Sequence, residues 1–560
     1  MEGMPGIRTF RPLAYASFAL NYYAGGYNVF GYHLVNIAIH YLTALILFLF
    51  IFYTLNLTVS NKSASNRSYE TALLTSALWA IHPIQVSTVT YIVQRMACLV
   101  ALFYILSMFF YLKGRIALDT SERYGCFFLC VVSGAAAFAT KQNAYMLPVS
   151  ILVYELIVLR QYRSHQANAW MKILIPAIGI LFLYYIIRMI PALSHGYADR
   201  PFTMWQRVLT EPRVIIFYFT LLLYPITSRF TLLHDIALST DLLHPWTTLP
   251  SIVLLLSIIM GCIVIAVKRP LVSFCILFFL INHAIEGSFV GLEIVFEHRN
   301  YLPAMLFFVP IARIVVAAVN NKNAGRLFRW LVGVAAVIIL ITVGIGAYTY
   351  NSIFGTELSL WADNVEKAPV LHRPLHNLAI VLWDGGDQRE ACARLQRSLD
   401  FREDARKDQK AQTYFYLGRC DRANGESNRA YGNYLKAIEI VPDYADTYDA
   451  MAQVKMEAGD LTAAEKLIRR ALTIDASVAV YHLDYARILL KMGRSRLARK
   501  ETTKSIITGG PQKTAYSLIS ESFRQQGLNL AADHFQSLSV PTAFHSDSRQ
   551  PVDRDKDIQR

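Results

Sequence analysis

Ten stretches of roughly 20 predominantly apolar residues limit what this chain can fold into more than any other feature. They lie near 33–55, 71–91, 96–112, 124–140, 143–159, 171–190, 250–267, 271–288, 301–319 and 330–350. A helix of that length spans the hydrocarbon core of a bilayer. The expected fold is therefore all-α, opening with a polytopic helical membrane domain of about ten crossings. A shorter apolar piece, Val214 to Thr227, contains Pro225 and is read as re-entrant or surface-lying. Ser17 to Tyr32 is amphipathic and is set off by Gly25, Gly26 and Gly31 from a helix starting near His33; it should lie along the membrane surface. Met1–Arg11 has no apolar core, so no cleavable signal peptide is read there.

The charge is unevenly spread. Residues 1–351 hold 24 Lys+Arg against 12 Asp+Glu, whereas 352–560 hold 30 against 28. The basic excess belongs to the apolar half, where it reports topology, and no nucleic-acid partner is expected. With the N-terminus outside, five short inside loops carry 13 of those 24 basic residues, from Lys62 and Arg67 to Lys322, Arg326 and Arg329. Ten crossings then place the C-terminal half outside as well. Eight of the 12 acids fall on that same outer side, Glu211, Asp235, Glu286, Glu293 and Glu297 among them. The expected location is a multi-pass membrane, the bacterial inner membrane in particular, with the polar half on the periplasmic face.

The polar half repeats. Gly425, Gly459, Gly493 and Gly527 are spaced by 34 residues, as are Ala430, Ala464, Ala498 and Ala532. Ala437, Ala471, Ser505 and Ser539 continue the small-residue pattern, and a looser copy has Gly386, Ala391 and Ser398. A 34-residue period with glycine ending the first helix and alanine at the helix crossing is the signature of tetratricopeptide repeats. The division expected is 1–350 membrane domain, 351–374 linker, 375–540 a solenoid of about five repeats, and 541–560 a disordered tail. Stacked helix pairs present a concave face suited to protein or peptide partners. Its candidate contacts are Arg419, Arg422, Gln453 and Arg487.

Five cysteines, Cys98, Cys126, Cys130, Cys262 and Cys275, sit in apolar runs and read as buried thiols. Cys392 and Cys420 lie in the polar half, where they can pair if that half is exported. No His/Cys spacing suits a metal, and no cofactor is implied.

Three polar stretches share the expected outer side. The first runs from His82 and Pro83 to Gln94 and Arg95, and the second from Thr140, Lys141, Gln142 and Asn143 to Pro148. The third holds Asn282, His283, Glu286 and Glu293, then Glu297, His298, Arg299, Asn300, Tyr301 and Pro303. Together with an N-terminal block containing Arg11, Pro12, Asn21, Tyr22, Asn36 and His40, they resemble segments of the GT-C membrane glycosyltransferases. The nearest resemblance is to the protein O-mannosyltransferases that join transmembrane helices to tetratricopeptide repeats, over roughly residues 8–320.

That resemblance implies transfer of a sugar, mannose among the candidates, from a polyprenyl-phosphate donor in the membrane to protein or peptide acceptors on the outer face. The donor's phosphodiester needs cations at headgroup depth, and guanidinium can engage two of its oxygens at once. His82, Arg95, Lys141 and Arg299 are the candidate substrate-binding residues. Transfer also needs a carboxylate to accept the acceptor's proton. In the family this comes from a paired-acid loop ahead of the N-terminal block; here the chain begins seven residues before Arg8, and that loop is not expected in it. Gln142 stands where the family has Glu, which leaves Glu297, Glu286 and Asp235 as candidate catalytic carboxylates. A membrane-anchored scaffold that uses its repeats for assembly is the alternative.

Overall fold

The computed structural model describes residues 11–57, 62–161, 200–401 and 406–539, with Tyr184, Ile187 and Tyr197 between them. Among these residues every regular element is helical. The chain divides between Ala368 and Pro369 into two units.

The first unit opens with helix Pro12–Gly25, whose Pro12 needs no amide partner at a helix start. Gly26, at φ 59°, makes the turn, and Asn28 caps the next helix by accepting the amide of Phe30. That helix, Val29–Asn56, is long and apolar enough to cross a membrane. So are Ile92–Ile116, Thr248–Ile265 and Arg326–Ile353. The outward faces of the last two carry Leu254, Leu256, Ile338, Ile341 and Ile345, apolar side chains suited to lipid contact.

Ten crossings are not supported. By length and composition four described helices qualify, or five if the pair Ser63–Ala80 and Pro83–Thr90, bent by 53°, counts as one span. The departures have local causes. Pro83 lacks the amide that would continue helix Lys62–Ala80, and the side chain of His82 caps the new turn instead. The 143–159 stretch is split into a 3-10 turn, Gln142–Met146, and helix Leu147–Ile157 with Pro148 at its start. Helix Pro270–His283 ends after 14 residues, and the 301–319 stretch is divided by Pro303 and Pro310 into short turns before Val309–Val319. Thr120–Phe138, begun by an Asp119 cap, carries Glu122 and Arg123 in its first turn and does not qualify as a span. The 171–190 stretch and the 541–560 tail fall outside the described residues.

Val214 to Thr227 belongs to helix Met204–Leu223, opened by a Thr203–Gln206 capping box and followed by an irregular segment containing Pro225. Among the described residues the main core of the unit is aromatic-rich, with Phe50, Trp79, Tyr104, Tyr154, Phe274, Phe278 and Tyr301 almost fully buried. Helix Glu357–Lys367, past the last long apolar helix, belongs to this unit too. Its Asn364 Oδ1 accepts from the Thr231 hydroxyl and the Leu233 amide, both at 3.0 Å, and Lys367 donates to the carbonyls of Thr227 and Phe230.

Among its described residues the second unit has five helix pairs: His372–Asp384 with Gln388–Ser398, Lys407–Ala423 with Ser427–Ile440, Ala445–Glu457 with Leu461–Ile474, Ala479–Lys491 with Ser495–Ile507, and Gln512–Arg524 with Asn529–Ser539. Gly425, Gly459, Gly493 and Gly527 all have φ between 73° and 81°, a backbone state that favours glycine at the end of each first helix. Ala430, Ala464, Ala498 and Ala532 are at most 1% exposed, so the paired helices meet on bare methyl groups. A disulfide between Cys392 and Cys420, Cα atoms 5.9 Å apart, ties the first pair to the second. Cys98, Cys130, Cys262 and Cys275 are buried in the first unit and Cys126 is half-buried.

Candidate functional site

The first unit's chemistry collects around an irregular segment between helix Pro270–His283 and the 3-10 turn Glu297–Asn300. Such a segment leaves many carbonyls unpaired, and buried carbonyls demand donors. Arginine supplies them. Arg207, fully buried on helix Met204–Leu223, donates to the carbonyls of Glu286, Ser288, Leu292 and Glu293. Arg200 donates to Gly291 and ion-pairs with Glu293 at 2.7 Å. The Tyr218 hydroxyl closes the segment's end by pairing with both the amide and the carbonyl of Phe296.

Inside that bracket lies a group of charges. Lys141 Nζ is 2.9 Å from Glu286 Oε1, and Arg299 Nε is 3.8 Å from Glu286 Oε2. Arg207 Nη2 is 2.7 Å from Glu211 Oε1. Burial acts to raise the Glu286 carboxyl, but Lys141 and Arg299 outweigh it and hold it at about 2. Burial dominates at Glu211 and pushes it up to about 7, against the opposing pull of Arg207 and Arg299. His298 is pushed down to about 3 by burial and then by Lys141, so its imidazole is neutral. Gln142 accepts from Arg11 Nη2 at 2.8 Å, which brings the N-terminal block to the edge of this group.

Two sequence-predicted residues, Lys141 and Arg299, thus meet at a third, Glu286. The others are placed elsewhere. Arg95 is 0% exposed, with Nε on Asn36 Oδ1 at 2.7 Å and its terminal nitrogens on the carbonyls of Ser17 and Tyr32. Phe18 and Tyr32 flank its guanidinium at 4.7 and 5.4 Å. Its fork is engaged in fastening the N-terminal helices. The ring nitrogens of His82 face the Leu222 carbonyl and the Ile84 amide. Glu297 accepts three hydrogen bonds, from the Thr231 amide and His234 at one oxygen and from the Tyr350 hydroxyl at the other. Asp235 is exposed. Among the described residues no group of His, Cys, Asp and Glu suits a metal ion.

The second unit gathers three of its four predicted residues in one network. Arg422 donates to Gln453 and pairs with Glu457; Gln453 Nε2 donates to Asp449 at 2.9 Å and Asp484 at 2.8 Å; Arg487 pairs with Asp484. Burial, and then the neighbouring Asp484 charge, raise the Asp449 carboxyl well above the ordinary carboxylate range. Arg419 lies instead over Trp383, Tyr416 and Phe415.

Sequence reading passed over Arg207 and Glu211 as functional residues, and Asp449 and Asp484 altogether. An opposite-charge pair four residues apart, ahead of an apolar run on the same helix, was the signal available for the first two.

No family model matches the chain. In sequence it is similar to the Caenorhabditis elegans protein O-mannosyl-transferase F38B6.6, 23% identical over 400 residues that make up 69% of this chain and 52% of that one. It is similar also to human protein O-mannosyl-transferase TMTC1, 30% identical over 167 residues (29% of this chain, 18% of that one). Human TMTC4 matches at 28% over 162 residues, 28% of this chain and 22% of that one. Solved structures that align with part of the chain include MamA, with TM-score 0.25, 19% identity, 29% of this chain and 92% of that one. Another is YrrB, described as a TPR protein with an unusual peptide-binding site, with TM-score 0.26, 14% identity, 32% of this chain and 90% of that one. The chain thus spans about half the length of the worm relative, and it shares sequence with proteins named protein O-mannosyl-transferases.

Proposed function

We propose that this chain glycosylates proteins, moving a sugar, mannose in the first instance, from a polyprenyl-phosphate donor to hydroxyl groups of protein or peptide acceptors. The observation that carries this reading is the meeting of Lys141 and Arg299 at one buried carboxylate, in a chain whose relatives are named for O-mannosyl transfer. Glu286 keeps the two cations charged and aligned; a phosphodiester entering beside it would meet two positive groups already desolvated, where their attraction is strongest. The membrane-length helices supply a route for the polyprenyl chain, and the repeats hold the acceptor. The disulfide Cys392–Cys420 supports placing the repeats in an oxidising compartment, on the non-cytoplasmic side.

The test is reconstitution of the full chain with dolichyl-phosphate [3H]mannose and a Ser/Thr-rich peptide. Label should pass to the peptide. K141A and R299A should each weaken donor-lipid binding at least tenfold, and R299K should recover only part, because an ammonium cannot make the two-pronged contact. No transfer by the wild-type chain, or unchanged lipid binding in both variants, overturns the reading.

A further inference from the structure

We infer that the turn from Thr240 to Thr247 is a lipid anchor, a tip that enters the boundary between headgroups and acyl chains; this assignment is independent of the glycosyl-transfer reading. Its three large apolar side chains are turned outward: Leu242 is 48% exposed, Leu243 63% and Trp246 75%. The backbone beneath them is tied off. Asp241 Oδ1 accepts the amides of Leu243 and His244 at 2.7 and 2.9 Å, and the Thr240 amide donates to the His244 carbonyl at 2.9 Å. The amides of Thr248 and Leu249 donate back to the carbonyls of Pro245 and Leu242. Arg213 holds the base, donating from Nε to Thr247 Oγ1 at 2.9 Å and from Nη1 to the Ala237 carbonyl at 2.6 Å. The tip is therefore braced with its apolar side chains outward. Much of its polar backbone is already paired, which lowers the cost of leaving water.

What covers the tip follows from the helix behind it. Thr248–Ile265 is long and apolar enough to cross a membrane, and its Val253, Leu254 and Leu256 face outward too. Lys268 and Arg269 follow that helix and mark one headgroup layer. Thr248 lies 20 residues ahead of Lys268, and a helix rising about 1.5 Å per residue covers about 30 Å in that length, the thickness of the hydrocarbon core. Trp246 is two residues further out, at the opposite boundary, where an indole finds apolar surroundings for its ring and acceptors for its N–H. Asp241 and His244, paired at 3.0 Å, set polar groups among the apolar ones, which headgroup depth tolerates and the hydrocarbon core does not. Ser239 joins the tip to the charged group described above. Its amide donates to Thr210 Oγ1 and its hydroxyl meets Thr248 Oγ1, both at 2.8 Å. Thr210 lies within one turn of Arg207 and Glu211, so the anchor holds that turn near headgroup depth.

The experiment places the full chain, one copy per disc, in phosphatidylcholine nanodiscs whose lipid carries bromine near the headgroup, bromine near the bilayer centre, or none. Subtracting the tryptophan emission of W246F from that of wild type isolates Trp246. That signal should fall at least about twofold with shallow bromine and less with deep bromine. Its maximum should lie blue of an indole in water. Equal emission in all three lipids overturns the proposal, whether water or protein surrounds the ring. Stronger quenching by deep bromine overturns it as well, because the ring then lies in the core. Where W246F does not insert, W246Y serves for the subtraction. In L242D/L243D the shallow quenching should drop by about half or more, as charge draws the tip out of lipid. Undiminished quenching there would show that the leucines do not hold the tip in place, and the anchor falls.

Discussion

Arginine serves opposite purposes in the two units. In the first, Arg95 and Arg207 are fully buried, and their partners are mainly backbone carbonyls and aromatic faces. In the second, Arg422, Arg469 and Arg487 lie at the surface and pair with carboxylates about one turn or one repeat away. The contrast follows from what each unit must satisfy. A polar backbone segment inside an apolar unit needs donors that no water supplies, and a long cation with five N–H groups meets that need. A solenoid closes its own backbone bonds within each helix and is held by repeated small-residue contacts, so these arginines are free to act at the surface. Local irregularity in the first unit and strict repetition in the second are therefore two answers to one demand, that every buried polar group be paired.

The sharpest way to break this comparison is to remove a buried arginine. R95A leaves Asn36 Oδ1 and the carbonyls of Ser17 and Tyr32 without donors, at a cost on the order of 3 kcal/mol or more. Thermal unfolding in detergent should show the first unit's transition lowered or lost and the repeats' transition unmoved. A variant as stable as wild type would show that the carbonyls find other partners.

Cutting the disulfide tests the second unit alone. Opening the 28-residue loop between Cys392 and Cys420 by C392S should destabilise the repeats by about 3–4 kcal/mol. Reducing agent should then lower the wild-type melting temperature of that unit and leave C392S unchanged. Equal sensitivity of both proteins to reductant contradicts the pairing.

A464L probes the small-residue crossings. Ala464 is 0% exposed, and overpacking there should cost about 1–3 kcal/mol, read as a lower urea midpoint for the repeats with the first unit unaffected. The smallest effect is expected from R422A/R487A, whose side chains are 31% and 43% exposed. Stability should change by less than about 1 kcal/mol, while capture of an acceptor peptide falls. Unchanged capture would move the acceptor site off this network.

How far each unit could be read in advance follows the same division. The glycines at 425, 459, 493 and 527 and the alanines five residues on each carry their meaning locally, and the 34-residue period repeats it until it is unmistakable. Lys141 and Arg299 were legible as a pair because each sits in a polar stretch of its own. Arg95 was legible as important but not as an anchor, since Ser17, Tyr32 and Asn36 lie 59 to 78 residues away. The role of Arg207 was hidden for a like reason: its carbonyl partners are 79 to 86 residues further on. The count of spans failed where proline and polar turns cut apolar runs into pieces shorter than a bilayer, because hydropathy registers the run and not the break.

Helix Glu357–Lys367 has a practical consequence for anyone dividing the gene. A cut after Ile353, where the last long apolar helix ends, would take Asn364 and Lys367 away from the amide of Leu233 and the carbonyls of Thr227 and Phe230. A cut after Ala368 leaves those bonds whole. At that seam a foreign repeat array could be spliced on, and a change in which proteins the chimaera captures would then report on the array alone.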